Sequence, residues 1–269
     1  MARIQIGTES IYYTRTNDQA LTILLFIHGS GGNHKSWPDC LRSLEKIGVV
    51  LMDLPGHGLS SGSGRTTVLE YADFVDDFVS AMGLSRVIVA GHSLGGAIVL
   101  ELALKQPDWL AGLVLVGTGA RLRVHADILN GIGQDYPKTV DLICRWAFGP
   151  DASKELIDGS RKALLDTDPG VTRGDFIACN AFDVAPLVGD IPYPTLIVSA
   201  SDDRVTDGRL ELPSVTRKVR ADGLCRPFVP DPQFLSGRIS LGQVIFRLPL
   251  FRRMSQGPCH RVEPKQLPV

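Results

Sequence analysis

The 269-residue chain is 44% apolar and carries a formal net charge of −1 at neutral pH, enough apolar material for one large domain with a sizeable core. A balance so close to zero argues against a general nucleic-acid binder or a membrane-surface protein, and no stretch is long and apolar enough to span a bilayer. Five scattered cysteines (Cys40, Cys144, Cys179, Cys225, Cys259) show no CxxC or Cys/His metal spacing, and "MARIQIGTESIYY" has no apolar signal core; free thiols in a cytoplasmic protein are the expectation.

In chain order, "RIQIG" and "SIYYTRT" alternate like the two strands of an antiparallel hairpin. "LTILLFIHG" (21–29) is a continuous apolar run, the pattern of a strand buried on both faces. "SWPDCLRSLEKIG" reads as a helix stopped by Gly48, and "VVLMDLPGHG" as a second buried strand entering a turn. "TTVLEYADFVDDFVSAMG" is an amphipathic helix capped by Thr66 or Thr67 and ended by Gly83. "RVIVAGHS" is a third strand, followed at once by a helix in "GGAIVLELALKQP" that ends before Pro107; "LAGLVLVGTG" and "PTLIVSASDD" (194–203) complete five buried strands. Strands alternating with helices predict a mostly parallel α/β sheet. Residues 121–189 break that rhythm with helical segments alone ("ADILNGIG", "TVDLICRWAF", "SKELIDGSRKALL", "RGDFIACNAF") and are expected to form an inserted helical lid. The core then comprises 1–120 and 190–207.

Residues 208–269 are of a different character. From Leu210 onward there are ten Lys/Arg against four Asp/Glu, eight of the 17 prolines and a single alanine, Ala221. Prolines and glycines interrupt most of it, only "RISLGQVIFRLPLF" reads as a strand, and the expectation is an atypical, aberrant or disordered tail.

The sharpest chemical signal is Gly91-His92-Ser93-Leu94-Gly95. A GxSxG is common by chance, but here it joins a buried strand to a helix, the context in which it presents a nucleophile. So tight a turn requires small residues two positions to either side of Ser93. It also leaves the hydroxyl at a helix N-terminus, where N–H groups and the helix dipole favour developing negative charge. A serine needs a base and oxyanion donors to act. The glycine-rich "FIHGSGGNHKSW" (26–37) follows the first buried strand and so reaches the same sheet edge; the backbone N–H groups of Ser30 and Leu94 can converge on one oxygen. A phosphate loop fits less well, since neither GxxxxGK[ST] nor GxGxxG is present.

"HGSGG", "DLPGHGLS", "GHSLGG" and "SASDDRV" occur in the order found in the α/β-hydrolase superfamily, and over residues 4–207 the chain most resembles its serine esterase and lipase branch with a helical lid. The resemblance implies Ser93 as nucleophile, Ser30 and Leu94 as oxyanion-hole amides and an acid after "PTLIVSA". Asp202 and Asp203 both stand there, and the family's spacing favours Asp203. It implies no cofactor and no metal. Where related enzymes cleave epoxides or carbon–halogen bonds the elbow carries aspartate; serine implies acyl transfer to a small or medium ester through an acyl-enzyme.

The family order Ser…Asp…His leaves the base as the weakest member. Near residue 230, "FVPDPQFLSGR" holds no histidine. His92 adjoins the nucleophile, His28 belongs to the oxyanion loop and braces it, His57 stabilises the "DLPGHGLS" turn, His34 starts a helix and His125 opens the lid. His260, in "GPCHRVEP", matches a glycine-x-x-histidine loop but lies 57 residues after Asp203, farther than in the family. Either a divergent tail returns His260 to Ser93, or the segment from about 208 comes from a frame disruption or recombination of a hydrolase gene and the base is absent. Three functions follow: a carboxylesterase, a hydrolase of carbon–carbon bonds in ring-fission products, or a binding protein that keeps the scaffold without turnover. Trp146, Phe148, Phe176 and Phe182 are candidates to line the pocket beneath the lid.

Overall fold

The computed structural model describes residues 2–44, 47–148, 152–200 and 215–221. Its eight-stranded sheet has the order β1-β2-β4-β3-β5-β6-β7-β8. The hairpin β1 (Ala2–Ile6) and β2 (Glu9–Thr16) joins antiparallel to β4 (Gly48–Met52). From there β3 (Ile23–Ile27), β5 (Val87–His92), β6 (Leu110–Val116) and β7 (Thr195–Ala200) run parallel.

The apolar runs are continuous because both sheet faces are covered, and the period of two shows in which face each residue serves. Ile23, Leu25, Ile27, Val50, Met52, Val87, Val89, Leu113 and Leu115 belong to one core. Their neighbours Leu24, Phe26, Val49, Leu51, Ile88, Ala90, Val114 and Val116 belong to the other, with Trp37 and Leu41. The first core takes in α1 (Val68–Ala81) and α2 (Leu94–Lys105). Thr67 caps α1, with Glu70 closing a capping box. The end of α2 falls at Gln106, in a left-handed conformation directly before Pro107.

One expectation is corrected, and one strand is added. The helix expected over 36–48 is instead a pair of 3-10 turns, His34–Ser36 and Asp39–Ser43. Pro38 lies extended between them, and Gly48 opens β4, where a Cβ would lie 2.5 Å from Ile23 Cδ1. Within the atypical tail, whose other residues lie outside the described ones, a strand stands where none was expected: β8 (Val215–Ala221), paired parallel with β7. Its Thr-Arg-Lys and Arg content hid it from a search for apolar runs, but a strand at the end of a sheet needs backbone partners on one side only.

Between β6 and β7 the chain makes a helical excursion: α3 (Ala126–Gly131), α4 (Tyr136–Ala147), α5 (Lys154–Asp166) and α6 (Pro169–Ala181). It leaves and returns at one point. Arg121 and Asp183 form an antiparallel bridge, and the Val184 N–H donates to Ala120 O at 2.8 Å. A satellite cluster of Val140, Cys144 and Leu164, with Tyr136 and Phe148 beside it, ties α4 to α5. Of the proposed pocket aromatics, Phe182 is in the main core, Phe148 packs against this cluster, and Trp146 is 41% exposed in a T-shaped contact with His125. Among the described residues no helix is long and apolar enough to cross a membrane.

Candidate active site

The parallel register brings the ends of β3 and β5 together, Ile27 opposite Gly91, so the turns that follow them meet at one sheet edge. Ser93 has φ 51° and ψ −116°, a conformation that normally requires glycine and costs about 1–3 kcal/mol elsewhere. Three hydrogen bonds hold its carbonyl there: the N–H groups of Gly96 (2.9 Å) and Ala97 (3.1 Å) and the Thr118 hydroxyl (2.9 Å) all donate to Ser93 O. The Ser93 N–H donates to Val116 O at 3.1 Å. No side chain caps α2. Leu94 is its first residue, so its N–H has no carbonyl one turn back to receive it.

The closeness of the packing explains the glycines. A Cβ on Gly91 would lie 2.1 Å from Gly95 O, and one on Gly95 would lie 2.2 Å from Ile27 O. One on Gly29 would come within 3.3 Å of Ser93 Cβ and 3.0 Å of His92 Nδ1. The backbone of the first glycine turn therefore rests directly against the serine.

Polar side chains hold that first turn. His28 is fully buried. Its Nε2 accepts the Leu54 N–H at 3.1 Å and its Nδ1–H donates to Gly29 O at 2.8 Å. This pattern requires the neutral ring. Burial, and then the charge of nearby His57, push its pKa down to about 4, so His28 braces the loop as expected of it. The Gly32 N–H donates to Gly29 O at 3.0 Å, and the Gly31 N–H donates to Asp175 Oδ2 at 2.8 Å. With both of these amides committed inside the protein, Ser30 carries the next N–H of the loop.

His57 stabilises its own turn through Nδ1–H donating to Pro55 O at 2.9 Å, but its Nε2 also faces Asp175 Oδ2 at 2.8 Å. A carbonyl and a carboxylate both accept, so the ring must donate from both nitrogens. Burial opposes that charge, yet Asp175 outweighs it and raises the His57 pKa above the usual 6.5. Asp175 is itself fully buried and also accepts the Tyr71 hydroxyl at 2.5 Å. Three donors on one carboxylate are what a buried ion pair needs to be tolerated. His34 lies elsewhere, its Nδ1 2.8 Å from Asp53 Oδ1, and His125 sits exposed at the N-cap of α3.

Ser93, Ser30 and Leu94 thus lie on adjoining turns at one edge of the sheet. Asp203 and His260 lie outside the described residues, and Ser199 and Ala200 end β7 just before Asp203. Sequence reasoning missed Asp175, Thr118 and Cys179, whose Sγ is 3.7 Å from Ser30 Oγ. Burial pushes the Cys179 thiol up to about 12, which leaves it un-ionised and no nucleophile. For Asp175 a signal did exist. Val171, Gly174, Ala178 and Cys179 are the buried stripe of α6, and a carboxylate at helical spacing within such a stripe calls for partners.

Three relatives bear on identity. A putative carbamate hydrolase, RutD, of Agrobacterium fabrum is 30% identical over 204 residues, covering 70% of this chain and 77% of that protein. The dihydrolipoyllysine-residue acetyltransferase component of the acetoin cleaving system of Cupriavidus necator is 39% identical over 108 residues, and the match spans only 29% of that longer protein. A solved thermophilic esterase superimposes with a TM-score of 0.69 at 29% identity, over 82% of this chain and 88% of that one. Residues 24–234 match the alpha/beta hydrolase family as a whole. With the sheet order, the strained serine and the glycine turns in place, the chain belongs to the alpha/beta hydrolase family.

Proposed function

We propose that the protein is a serine hydrolase that cleaves small to medium carboxylic esters through an acyl-enzyme. The observation that carries this reading is Ser93 itself. A non-glycine residue held at φ 51° at a helix N-terminus, with its carbonyl fixed by three donors, is strain with a use. In this reading the Ser93 hydroxyl attacks the ester carbonyl, the N–H groups of Ser30 and Leu94 receive the developing oxyanion, and Asp203 orients His260. His260 takes the serine proton and passes it to the leaving alcohol; water then releases the acid. Likeness to an esterase and to a putative carbamate hydrolase supports acyl chemistry of this kind.

The test is hydrolysis of p-nitrophenyl butyrate by the full chain beside Ser93→Ala and His260→Ala, with a carbamate ester in the same panel. Loss of about 10⁴-fold or more in kcat is expected for Ser93→Ala. An equal loss in His260→Ala places the base in the tail. A wild type no faster than Ser93→Ala sinks the reading and favours a scaffold that binds without turnover.

A further inference from the structure

The helical excursion holds the loop that carries Ser30. Gly31 is held at three points, all from residues more than 130 positions away. Its N–H donates to Asp175 on α6; its carbonyl lies 3.2 Å from the Thr167 hydroxyl, which also faces Ala163 O; and its α-carbon is covered by Leu164 of α5, whose Cδ2 would lie 2.4 Å from a Cβ placed there. Gly31 has φ 63°, so the loop turns there in a conformation that glycine adopts freely and that only outside contacts can fix. One helical turn beyond Asp175, the Cys179 thiol meets the Ser30 hydroxyl. A single face of α6 therefore grips two consecutive residues of the loop, Ser30 by its side chain and Gly31 by its backbone.

Asp175 is in turn held by groups from two other elements. Tyr71 of α1 donates to Oδ1, and His57 of the turn after β4 donates to Oδ2. The other titratable groups facing His57 are His28, its ring centroid 4.9 Å away, and Asp53. None of these side chains has a part in the acyl chemistry proposed above. The bond from Gly31 to Asp175 fixes the Ser30–Gly31 peptide plane on one side of the Ser30 α-carbon, while the Gly29–Ser30 plane that carries the Ser30 N–H is held on the other side through Gly29 O, which accepts from His28 Nδ1–H and the Gly32 N–H. An oxyanion donor stabilises a transition state only if it is aimed before charge develops, and a loop reading Gly-Ser-Gly-Gly cannot aim itself.

We propose that Asp175 is a positioning residue of the oxyanion loop, holding the Ser30 amide in donating geometry through its bond to Gly31. This rests on the reading of Ser93 as the nucleophile and of Ser30 as an oxyanion donor. The excursion is then part of the catalytic apparatus rather than only a wall of the substrate pocket.

The experiment follows covalent labelling of Ser93 by an alkyl fluorophosphonate in the full chain. The serine oxygen bonds phosphorus, fluoride leaves, the hydroxyl proton passes to solvent, and the phosphoryl oxygen occupies the oxyanion position. Wild type, Asp175→Asn, Asp175→Glu and the milder Thr167→Val are compared for maximal labelling rate and half-saturating concentration, each checked for native circular dichroism. The expected result is a maximal rate about 10²-fold lower in Asp175→Asn, partly recovered in Asp175→Glu and lowered several-fold in Thr167→Val, with half-saturation little changed in all. A folded Asp175→Asn, or a Thr167→Val, that labels at the wild-type rate overturns the positioning role. So does a loss that appears wholly in half-saturation, which marks a collapsed pocket. If wild type itself does not label, the serine-hydrolase reading fails first, and Asp175 has no oxyanion loop to position.

Discussion

The turn after β5 and the turn after β3 end side by side at the sheet edge, and they are held by opposite means. Around Ser93 the constraint is steric and local. Gly91 and Gly95 let backbone meet backbone at distances a methyl group would forbid, and the helix that starts at Leu94 supplies the donors for the serine carbonyl. Around Ser30 the constraint is polar and remote. A neutral His28, a charged His57, Asp175 and Thr167 supply bonds to a loop with few contacts of its own. The first turn stores strain in one residue. The second is unstrained at its serine but depends on residues drawn from three other parts of the chain.

The comparison breaks first at Gly95. Gly95→Ala puts a methyl group 2.2 Å from Ile27 O and 2.7 Å from His28 O. Both atoms are backbone at the C-terminal end of β3 and cannot rotate away, so β3 and α2 must separate. A loss of about 3 kcal/mol or more is expected from overpacking of this kind, measured as a lowered urea midpoint. A Gly95→Ala protein of wild-type stability would mean that the elbow is looser than these distances allow.

That difference decides what was legible in the sequence. The elbow was readable because its signature, Gly91 to Gly95, lies within five consecutive residues, although the bonds from Thr118 and to Val116 that also hold Ser93 were not; the buried strands were readable because their period and length are local too. The role of Asp175 was not, since its meaning comes from Gly31, 144 positions away, and from His57. His57 was read as stabilising its turn, which it does through Pro55 O, while its second bond was invisible for the same reason. The segment 36–48 misled because a helical spacing of apolar residues fits the short 3-10 turn Asp39–Ser43 as well as an α-helix, and Pro38 only ends the turn before it. β8 was missed because an edge strand need not be apolar.

The polar turn can be probed by pH, because its two histidines titrate in opposite senses. The folded protein refuses a proton on His28 until about 4, whereas the unfolded chain accepts it at the ordinary 6.5. Stability from this residue is therefore complete above 6.5 and falls as pH drops from there to about 4, by about 3 kcal/mol at about 1.4 kcal/mol per pH unit. His57 behaves the other way. Its folded pKa is raised, so its contribution is complete below 6.5 and is lost as pH rises through the raised value. Urea unfolding across the acid range, on wild type and on His28→Gln, which keeps an acceptor and a donor without titrating, is expected to show the acid slope reduced in the variant. An unchanged slope would remove His28 from the account and leave the loop held by Asp175 and Thr167.

The strained turn yields a smaller but cleaner effect. Ser93→Gly and Ser93→Ala both delete the hydroxyl, so neither retains a nucleophile and the two differ only in the Cβ. Alanine must hold φ 51° and ψ −116° against the same steric penalty that serine bears, about 1–3 kcal/mol. Glycine adopts that conformation freely, at an entropic cost of about 0.5–1 kcal/mol from its looser unfolded state. The net expectation is that Ser93→Gly is more stable than Ser93→Ala by about 1 kcal/mol, a rise of about 3 °C in Tm. If alanine proves as stable as glycine, the backbone at Ser93 relaxes once the hydroxyl is gone. The strain would then belong to the hydroxyl's own contacts rather than to the turn, and the two turns would be less different than their geometry makes them.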